Sequence, residues 1–253
     1  MRILTAILFI LLSSKLAMAQ YQETIASSRP GQAFSSTTVG KGVFQVQSGF
    51  NFSGSQFESV DVTKTNGFDW GTIVRYGLAE KFELRTLFNV SRVGFKESDV
   101  SVSGLSNFGV GGKVNLLHPS ASGPSVSLQA DVSLPVSTGD FDNDEVTTNI
   151  YLTNSQSIGN AVSLSTNLGA NVHDSRTIGL YVINLGFGLS DQFSAFVETY
   201  GFFNSDNFDI LFDGGFAYLV NDHIQLDASV GYGKNDGFKQ FFGDFGVSWR
   251  MKL

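Results

Sequence analysis

From residue 43 onward the chain alternates between apolar and polar positions in runs of about ten residues, the length a tilted strand needs to cross a hydrocarbon layer. In VFQVQSGFNF, residues 43 to 52, Phe44, Val46, Phe50 and Phe52 fall on one face. Gln45, Gln47, Gly49 and Asn51 fall on the other, because successive side chains of a strand point oppositely. The same reading fits 68–78, 82–92, 105–117, 125–136, 145–155, 161–173, 177–189, 192–203, 208–219, 223–233 and 241–253. The pattern therefore predicts an all-β fold, a transmembrane antiparallel up-and-down β-barrel of about twelve strands, an even number as single-chain bacterial barrels have.

The connections point the same way. Ala79-Glu80-Lys81, Ser157 to Asn160, Ser190-Asp191 and Asn221-Asp222 are tight, and His118 to Pro124 is slightly longer. The intervening connections 53–67, 93–104, 137–144 and 234–240 are longer and rich in Ser, Gly, Asp and Asn, although those near Asp174 and Ser205 are short. Outer-membrane barrels have short periplasmic turns and longer extracellular loops, so both chain ends are expected on the periplasmic side. A soluble β-sandwich also alternates. Three features favour the barrel: strands longer than the usual 5 to 6 residues, alternating loop lengths, and a second face built from Gly, Ser, Asn and Gln. An apolar outer face repeated on every strand would make a soluble protein prone to aggregate.

Residues 20–42 do not alternate and contain Arg29-Pro30-Gly31 and Gly40-Lys41-Gly42. They read as a periplasmic lead-in, either a plug at the barrel mouth or a loosely attached tail. Ahead of them, Arg2 precedes an apolar run from Ile3 to Leu12 and the sequence Ala17-Met18-Ala19, which reads as a signal peptide over residues 1–19. Its apolar run is too short for a membrane helix, which needs about 20 residues. The domain reading is thus 1–19 signal peptide, 20–42 lead-in or plug, and 43–253 barrel.

Composition narrows the chemistry. Removing Arg2 and Lys15 with the signal peptide leaves 14 Lys+Arg against 23 Asp+Glu, a net charge of -9, which argues against nucleic acid. Phe 24 and Gly 28 are high and charged residues are only 15%, against about 25% in soluble domains. With Cys 0 there is no disulfide, thiolate metal site or N-terminal lipid anchor on cysteine.

On the polar face the charges are Arg75, Glu83, Arg85, Lys113, Asp131, Glu198, Asp209, Asp213, Asp227, Asp244 and Arg250, all expected to face the lumen. Arg75, Glu83 and Arg85 sit at the paired ends of one tight hairpin. Glu198, Asp213 and Asp227 lie on neighbouring later strands that closure of the barrel would bring opposite them. Arg75, Glu83, Arg85, Lys113, Glu198, Asp213 and Asp227 are the candidate lumen-lining residues, forming either a constriction that selects a solute or a salt-bridge network that fills a narrow barrel. His118, His173 and His223 sit at strand ends without metal-ligand spacing, and His173-Asp174-Ser175 reads as a turn rather than a hydrolytic triad. Asp140, Asp142, Asp144 and Glu145 offer oxygens to calcium but lack the full loop signature, so a solvated extracellular loop is the better reading. No cofactor, metal site or enzymatic activity is expected.

The stretches RPGQAFSSTTVGKG, VRYGLAEKFELR, FGVGGKV, FVETYGFF and FDGGFAYLVNDHIQLDASVGYG resemble the outer-membrane transporters grouped under the MetA pathway of phenol degradation. The likeness covers most of the mature chain. It implies passive or gated passage of small, hydrophobic or aromatic compounds, and carries no established binding residues. The alternative is a structural or interaction barrel with a closed lumen; an outer-membrane enzyme ranks third. The expected partners are outer-membrane lipids, an unidentified small solute and the barrel assembly machinery. The last of these is expected because Phe245, Val247, Trp249, Met251 and Leu253 share one face of a final strand like those recognised for insertion, although it ends on leucine rather than an aromatic.

The mature protein should fractionate with outer membranes and run faster on unboiled than on boiled SDS gels, because a closed barrel has no free edge at which to unravel. Recovery as a soluble periplasmic protein would contradict the barrel.

Overall fold

The computed structural model describes residues 24–58, 62–117, 123–141, 145–173, 176–235 and 238–253. The signal-peptide reading of residues 1–19 falls outside them. Within the described residues the chain forms twelve strands: β1 Val43–Glu58, β2 Val62–Ala79, β3 Phe82–Phe95, β4 Val100–Leu117, β5 Ser125–Ser133, β6 Thr147–Ser157, β7 Val162–Val172, β8 Thr177–Gly188, β9 Phe193–Phe203, β10 Leu211–Asn221, β11 Ile224–Asn235 and β12 Phe238–Lys252. Each pairs antiparallel with its neighbours in sequence, and β1 closes on β12 from Val43 opposite Lys252 to Phe57 opposite Phe238. Closure leaves no sheet edge, which is what permits strands to span a hydrocarbon layer in which unpaired backbone groups would cost several kcal/mol each, about the cost of burying an amide.

The distribution of side chains is inverted relative to a soluble domain. The largest fully buried side chains include Arg75, Arg85, Lys113, Gln45, Gln47, Gln129 and Glu83, whereas Phe50, Phe52, Trp70, Leu84, Phe241, Phe245 and Trp249 are exposed on the outer wall. On that wall Phe50 stacks on Phe68 and Trp70, and Phe52 on Phe245, tying β1, β2 and β12 together from the lipid side. A wall of this kind suits lipid and excludes the soluble sandwich.

Several sequence-derived boundaries need correction at the end opposite the chain termini. Residues 53–67 are not a long loop: β1 and β2 stay paired through Ser53–Gly67, Ser55–Thr65 and Gln56–Lys64. Likewise 93–104 contracts to the four residues between β3 and β4, and β11 and β12 run on to Asn235 opposite Phe238. The reason is physical. Above the apolar belt both strand faces are wet, so alternation disappears while backbone pairing continues. The 137–144 connection remains a loop and carries one 3₁₀ turn at Gly139–Phe141. Asp209 precedes β10 rather than lying within it.

Within β3, Glu83 and Arg85 are buried inside while Leu84 is 44% exposed on the outer wall. Phe88 shares the outward parity of Leu84 and lies nearer the middle of β3, so Phe88→Arg should cost about 2 to 4 kcal/mol, the range for a cation at mid-membrane on the lipid face. Asn89→Lys, on the inner face, should cost less. Urea titration of the folded band in lipid vesicles checks this, and equal losses at both positions would mean that the facing is reversed.

Candidate functional site: a charged lumen crossed by the N-terminal segment

Residues 24–42 form no strand because they lack alternation and contain Pro30 with positive-φ glycines at 31, 40 and 42. Their backbone polar groups must still be satisfied, and the lumen wall does so. The Ile25 N–H donates to the Asp222 carbonyl (2.9 Å) in the β10–β11 turn. The Ser27 hydroxyl meets that of Ser248 on β12 at 2.8 Å, and the Phe34 N–H donates to Asn167 Oδ1 on β7 at 2.9 Å. From there the segment descends. Lys113 Nζ donates to the Ser35 carbonyl (2.8 Å), Asn115 to that of Ser36 (3.0 Å) and Arg75 to that of Thr37 (3.1 Å). The Val39 N–H donates to Glu83 Oε2 (2.9 Å), and the Gly42 N–H to the Gly77 carbonyl (2.8 Å), delivering the chain to β1. The result is an arch inside the barrel, standing on the end at which β1 begins and β12 ends.

One wall of the lumen, on β2–β5, is predominantly basic. Arg75 holds Glu83 in a bidentate pair, Nε to Oε1 and Nη2 to Oε2, both at 2.8 Å. The same carboxylate lies 3.7 Å from Arg85 and 3.8 Å from Lys113. Arg85 Nε also donates to Asp131 (3.1 Å), while its guanidinium lies 6.0 Å from the centre of the Phe34 ring. Three cations therefore share two carboxylates. The remaining positive charge is met by the arch, whose Ala26 and Thr37 carbonyls accept from Arg75 and whose Ser35 carbonyl accepts from Lys113.

The opposite wall, on β9–β12, is acidic. Asp213 stands directly across from Glu198 in the β9–β10 register, and Asp227 and Asp244 follow on β11 and β12. The cation that answers them comes from the arch: Arg29 Nη2 pairs with Asp227 (3.1 Å) and with Asp244. Its guanidinium occupies a niche over Gly49 and Gly246, facing residues of β1 and β12, where an added Cβ would lie 2.2 and 2.5 Å from guanidinium atoms. Glu198 accepts from the Gln32 N–H and from Asn184 Nδ2 (2.7 Å). Next to this wall Val182, Tyr200, Leu211 and Phe242 form a buried apolar cluster, with Ala33 of the arch packed against it. Beneath the arch lies a cavity of about 510 Å³ lined largely by serines such as Ser125, Ser155, Ser163 and Ser165, together with Phe34 and Phe196.

All seven candidate lumen-lining residues are thus buried on the inner face, but as two groups rather than one. Arg75, Glu83, Arg85 and Lys113 come together. Glu198, Asp213 and Asp227 do not reach them, because the arch stands between. The partner missed from the sequence is Arg29, which lies on a segment with no periodicity to orient it; the inward glycines at 49 and 246 are the only trace of its niche in the pattern. Arg250, also inward, donates to the Asp222 carbonyl (3.2 Å). His173 lies 3.8 Å from Glu145, and Asp140 accepts the Ser103 N–H (3.0 Å). His118, Asp142, Asp144, Asp174 and Ser175 lie outside the described residues.

The sequence profile of the family described as "Putative MetA-pathway of phenol degradation" matches residues 27–251. The chain belongs to this family. The match begins within the arch, so the family region includes most of the lumen-crossing segment as well as the barrel. Among solved structures, the COG4313 outer membrane channel from Pseudomonas putida F1 is similar over 89% of this chain and 100% of that one, at 11% identity and a TM-score of 0.70. The translocator domain of the autotransporter NalP from Neisseria meningitidis covers 84% of this chain and 89% of its own, at 11% identity and a TM-score of 0.56. The KdgM porin covers 79% and 98%, at 12% and 0.52. At these identities the likeness is one of fold, the closed barrel of the outer membrane. None of the curated protein sequences compared matches this family member.

Arg29→Ala should strand Asp227 and Asp244 and loosen the arch. Because the chain has no native cysteine, a single Ala33→Cys reports on this through its rate of maleimide labelling. The rate should rise at least tenfold on adding Arg29→Ala, corresponding to a loss of about 1.4 kcal/mol of closure. Gly246→Leu, which fills the guanidinium niche, should act in the same direction. Unchanged labelling in both would show that Arg29 does not hold the arch.

Proposed function

We propose that this barrel is a gated channel for small apolar or aromatic solutes, and that residues 24–42 are its gate. The observation that carries the reading is that the lumen is crossed by a continuous strand-free segment, joined covalently to the barrel where it runs into β1 and held along its length by non-covalent contacts. A segment of this kind is removable without dismantling the barrel. The apolar cluster of Val182, Tyr200, Leu211 and Phe242 beside Ala33 supports an apolar solute, since ligand sites are mostly apolar with a few placed polar groups. The family description and the channel and porin names of the similar barrels support transport in the same way. The reading includes residues 1–19 as a cleaved signal peptide and insertion by the barrel assembly machinery through β12.

A closed structural barrel is the second reading, favoured by the ion pairs that Arg75 and Arg85 make with Glu83 and Asp131. Efflux from liposomes separates the two. With benzyl alcohol as the solute, deleting residues 24–38 should raise permeability above wild type while the protein keeps its heat-modifiable mobility. If the deletion fails to fold, a thiol cross-link between Ala33→Cys and Val182→Cys should hold permeability at the lipid background, and reduction should restore it. Arg75→Ala with Arg85→Ala should raise it under the channel reading; in a closed barrel the same change strands Glu83 and Asp131, costing about 3 to 5 kcal/mol without opening a path. Permeability at the lipid background in every variant would overturn the channel.

A further inference from the structure

The arch meets two of the three cations on the β2–β5 wall with carbonyl oxygens, those of Ala26 and Thr37 on Arg75 and that of Ser35 on Lys113. Over the third it places a phenyl ring. Arg85 is 2% exposed and its Nε donates to Asp131 (3.1 Å), but its Nη1 and Nη2 donate no hydrogen bond among the described residues. Nη1 lies 3.7 Å from Glu83 Oε1, an ion pair without a hydrogen bond. The guanidinium faces the Phe34 ring instead, 6.0 Å from its centre. A buried donor left unmade forfeits its hydration. The fork that Nη1 and Nη2 present is also the shape that a carboxylate fills with two parallel bonds.

Phe34 is seated as a ligand would be. Its ring lies 4.6 Å, centre to centre, from that of Tyr151 on β6, tilted by 52°. Tyr151 has room to lie there because the residue directly across on β7 is Gly169, where a Cβ would stand 2.7 Å from Tyr151 Cδ1. Asn167 on β7 holds the Phe34 backbone from both sides, accepting its N–H (2.9 Å) and donating to its carbonyl (3.3 Å). The same Asn167 amide donates to the Thr153 hydroxyl (2.7 Å), which fixes its orientation. Phe34 also borders the 510 Å³ cavity beneath the arch, so open space adjoins the place it fills. Ring, amide and guanidinium thus form a subsite whose walls belong to β3, β6 and β7 and whose occupant belongs to the arch. Its charge does not close: Arg75, Arg85 and Lys113 against Glu83 and Asp131 leave one positive charge over.

We infer that Phe34 stands in for the ligand of a subsite that takes an aromatic carboxylate, a solute of the benzoate class, and that the arch vacates this subsite when it lifts. The solute's ring lies against Tyr151, where the Phe34 ring now is, and its carboxylate fills the Nη1 and Nη2 fork of Arg85. One negative charge balances the cluster of three cations and two carboxylates. A neutral aromatic would leave the fork unfilled, and a carboxylate without a ring would leave the place beside Tyr151 empty. The inference deepens the channel proposal and rests on residues 24–42 acting as its gate, but binding and passage are measured separately.

Phe34→Ala empties the ring position in the full-length chain while keeping the backbone that Asn167 holds. Titration calorimetry of this variant in detergent with sodium benzoate should show saturable binding, about tenfold tighter than to wild type. It should also be about tenfold tighter than methyl benzoate, which has the ring without the charge, as a charge-assisted bidentate pair implies. Acetate, the charge without the ring, should bind about tenfold more weakly than benzoate. Adding Arg85→Lys, which keeps the charge and loses the fork, should bring benzoate to within about threefold of methyl benzoate. Benzoate binding no tighter than methyl benzoate, or a preference unchanged by Arg85→Lys, would overturn the carboxylate subsite. Acetate binding as tightly as benzoate would overturn the aromatic ligand in favour of a simple anion. If Phe34→Ala does not fold, the chain carrying Ala33→Cys alone gives the answer, because benzoate then competes with the Phe34 ring. Saturating benzoate should raise the maleimide labelling rate about tenfold, equivalent to about 1.4 kcal/mol, and methyl benzoate should not; equal effects of the two would overturn the subsite. Saturable benzoate binding together with liposome permeability at the lipid background would uphold the subsite and overturn the channel alone.

Discussion

Charges inside a barrel are removed from bulk water, and each must find a partner or forfeit several kcal/mol, the effective desolvation penalty per ion. In this protein the wall does not balance itself. The β2–β5 side carries Arg75, Arg85 and Lys113 against Glu83 and Asp131, and the β9–β12 side carries Glu198, Asp213, Asp227 and Asp244 with no cation of its own at that level. The arch answers charges on both sides at once, while the buried Asp213 carboxylate, set against Glu198, and Arg85 Nη1 and Nη2 keep no hydrogen-bond partner. It turns carbonyl oxygens toward Arg75 and Lys113, and turns Arg29 and the Gln32 N–H toward the carboxylates. A strand-free segment suits this task because its backbone groups are not committed to a ladder.

Complementarity of this kind holds the segment without welding it. Most of the contacts are hydrogen bonds, each worth about 0.5 to 1.5 kcal/mol net, or about 1.5 to 3 where one partner is charged. They are spread over β2, β3, β4, β7, β9, β11 and β12, so loss of any one leaves the others in place. Apolar contacts add to them along the segment: Ile25 and Val39 are buried, Ala33 packs on the Val182–Phe242 cluster and Phe34 lies against Tyr151 at 4.6 Å. Glycine controls how close the arch can come. Besides the Arg29 niche, Gly77 lies so near the Gly40 carbonyl that an added Cβ would stand 1.8 Å from its oxygen, and the segment would have to move before rejoining β1.

The outside of the barrel answers a different solvent with the same construction. Strand parity that turns glutamine, serine and charge inward turns phenylalanine, leucine and tryptophan outward, so one register serves lumen and lipid together. Where the strands outrun the hydrocarbon, outward positions become lysine and asparagine. The change from Phe52 and Phe68 to Gln56 and Lys64 over four residues of β1 and β2 marks the boundary between acyl chain and headgroup.

Strand number, the facing of Glu83 against Leu84 and the inward position of all seven candidate charges were legible in the sequence, because a period of two is a local property that each strand displays on its own. The upper ends of β1 to β4 were not, since pairing between two wet faces leaves no hydrophobic trace. Nor was the division of the charges into two groups. Parity states that Asp227 points inward but not what it meets there; that depends on which strands closure sets side by side and on what occupies the space between them. Arg29 is the clearest case. Nothing in its neighbourhood is periodic, and its position over Gly49 and Gly246 follows only when β1 has closed on β12 and the arch has risen between them, bringing together residues almost two hundred positions apart in the chain.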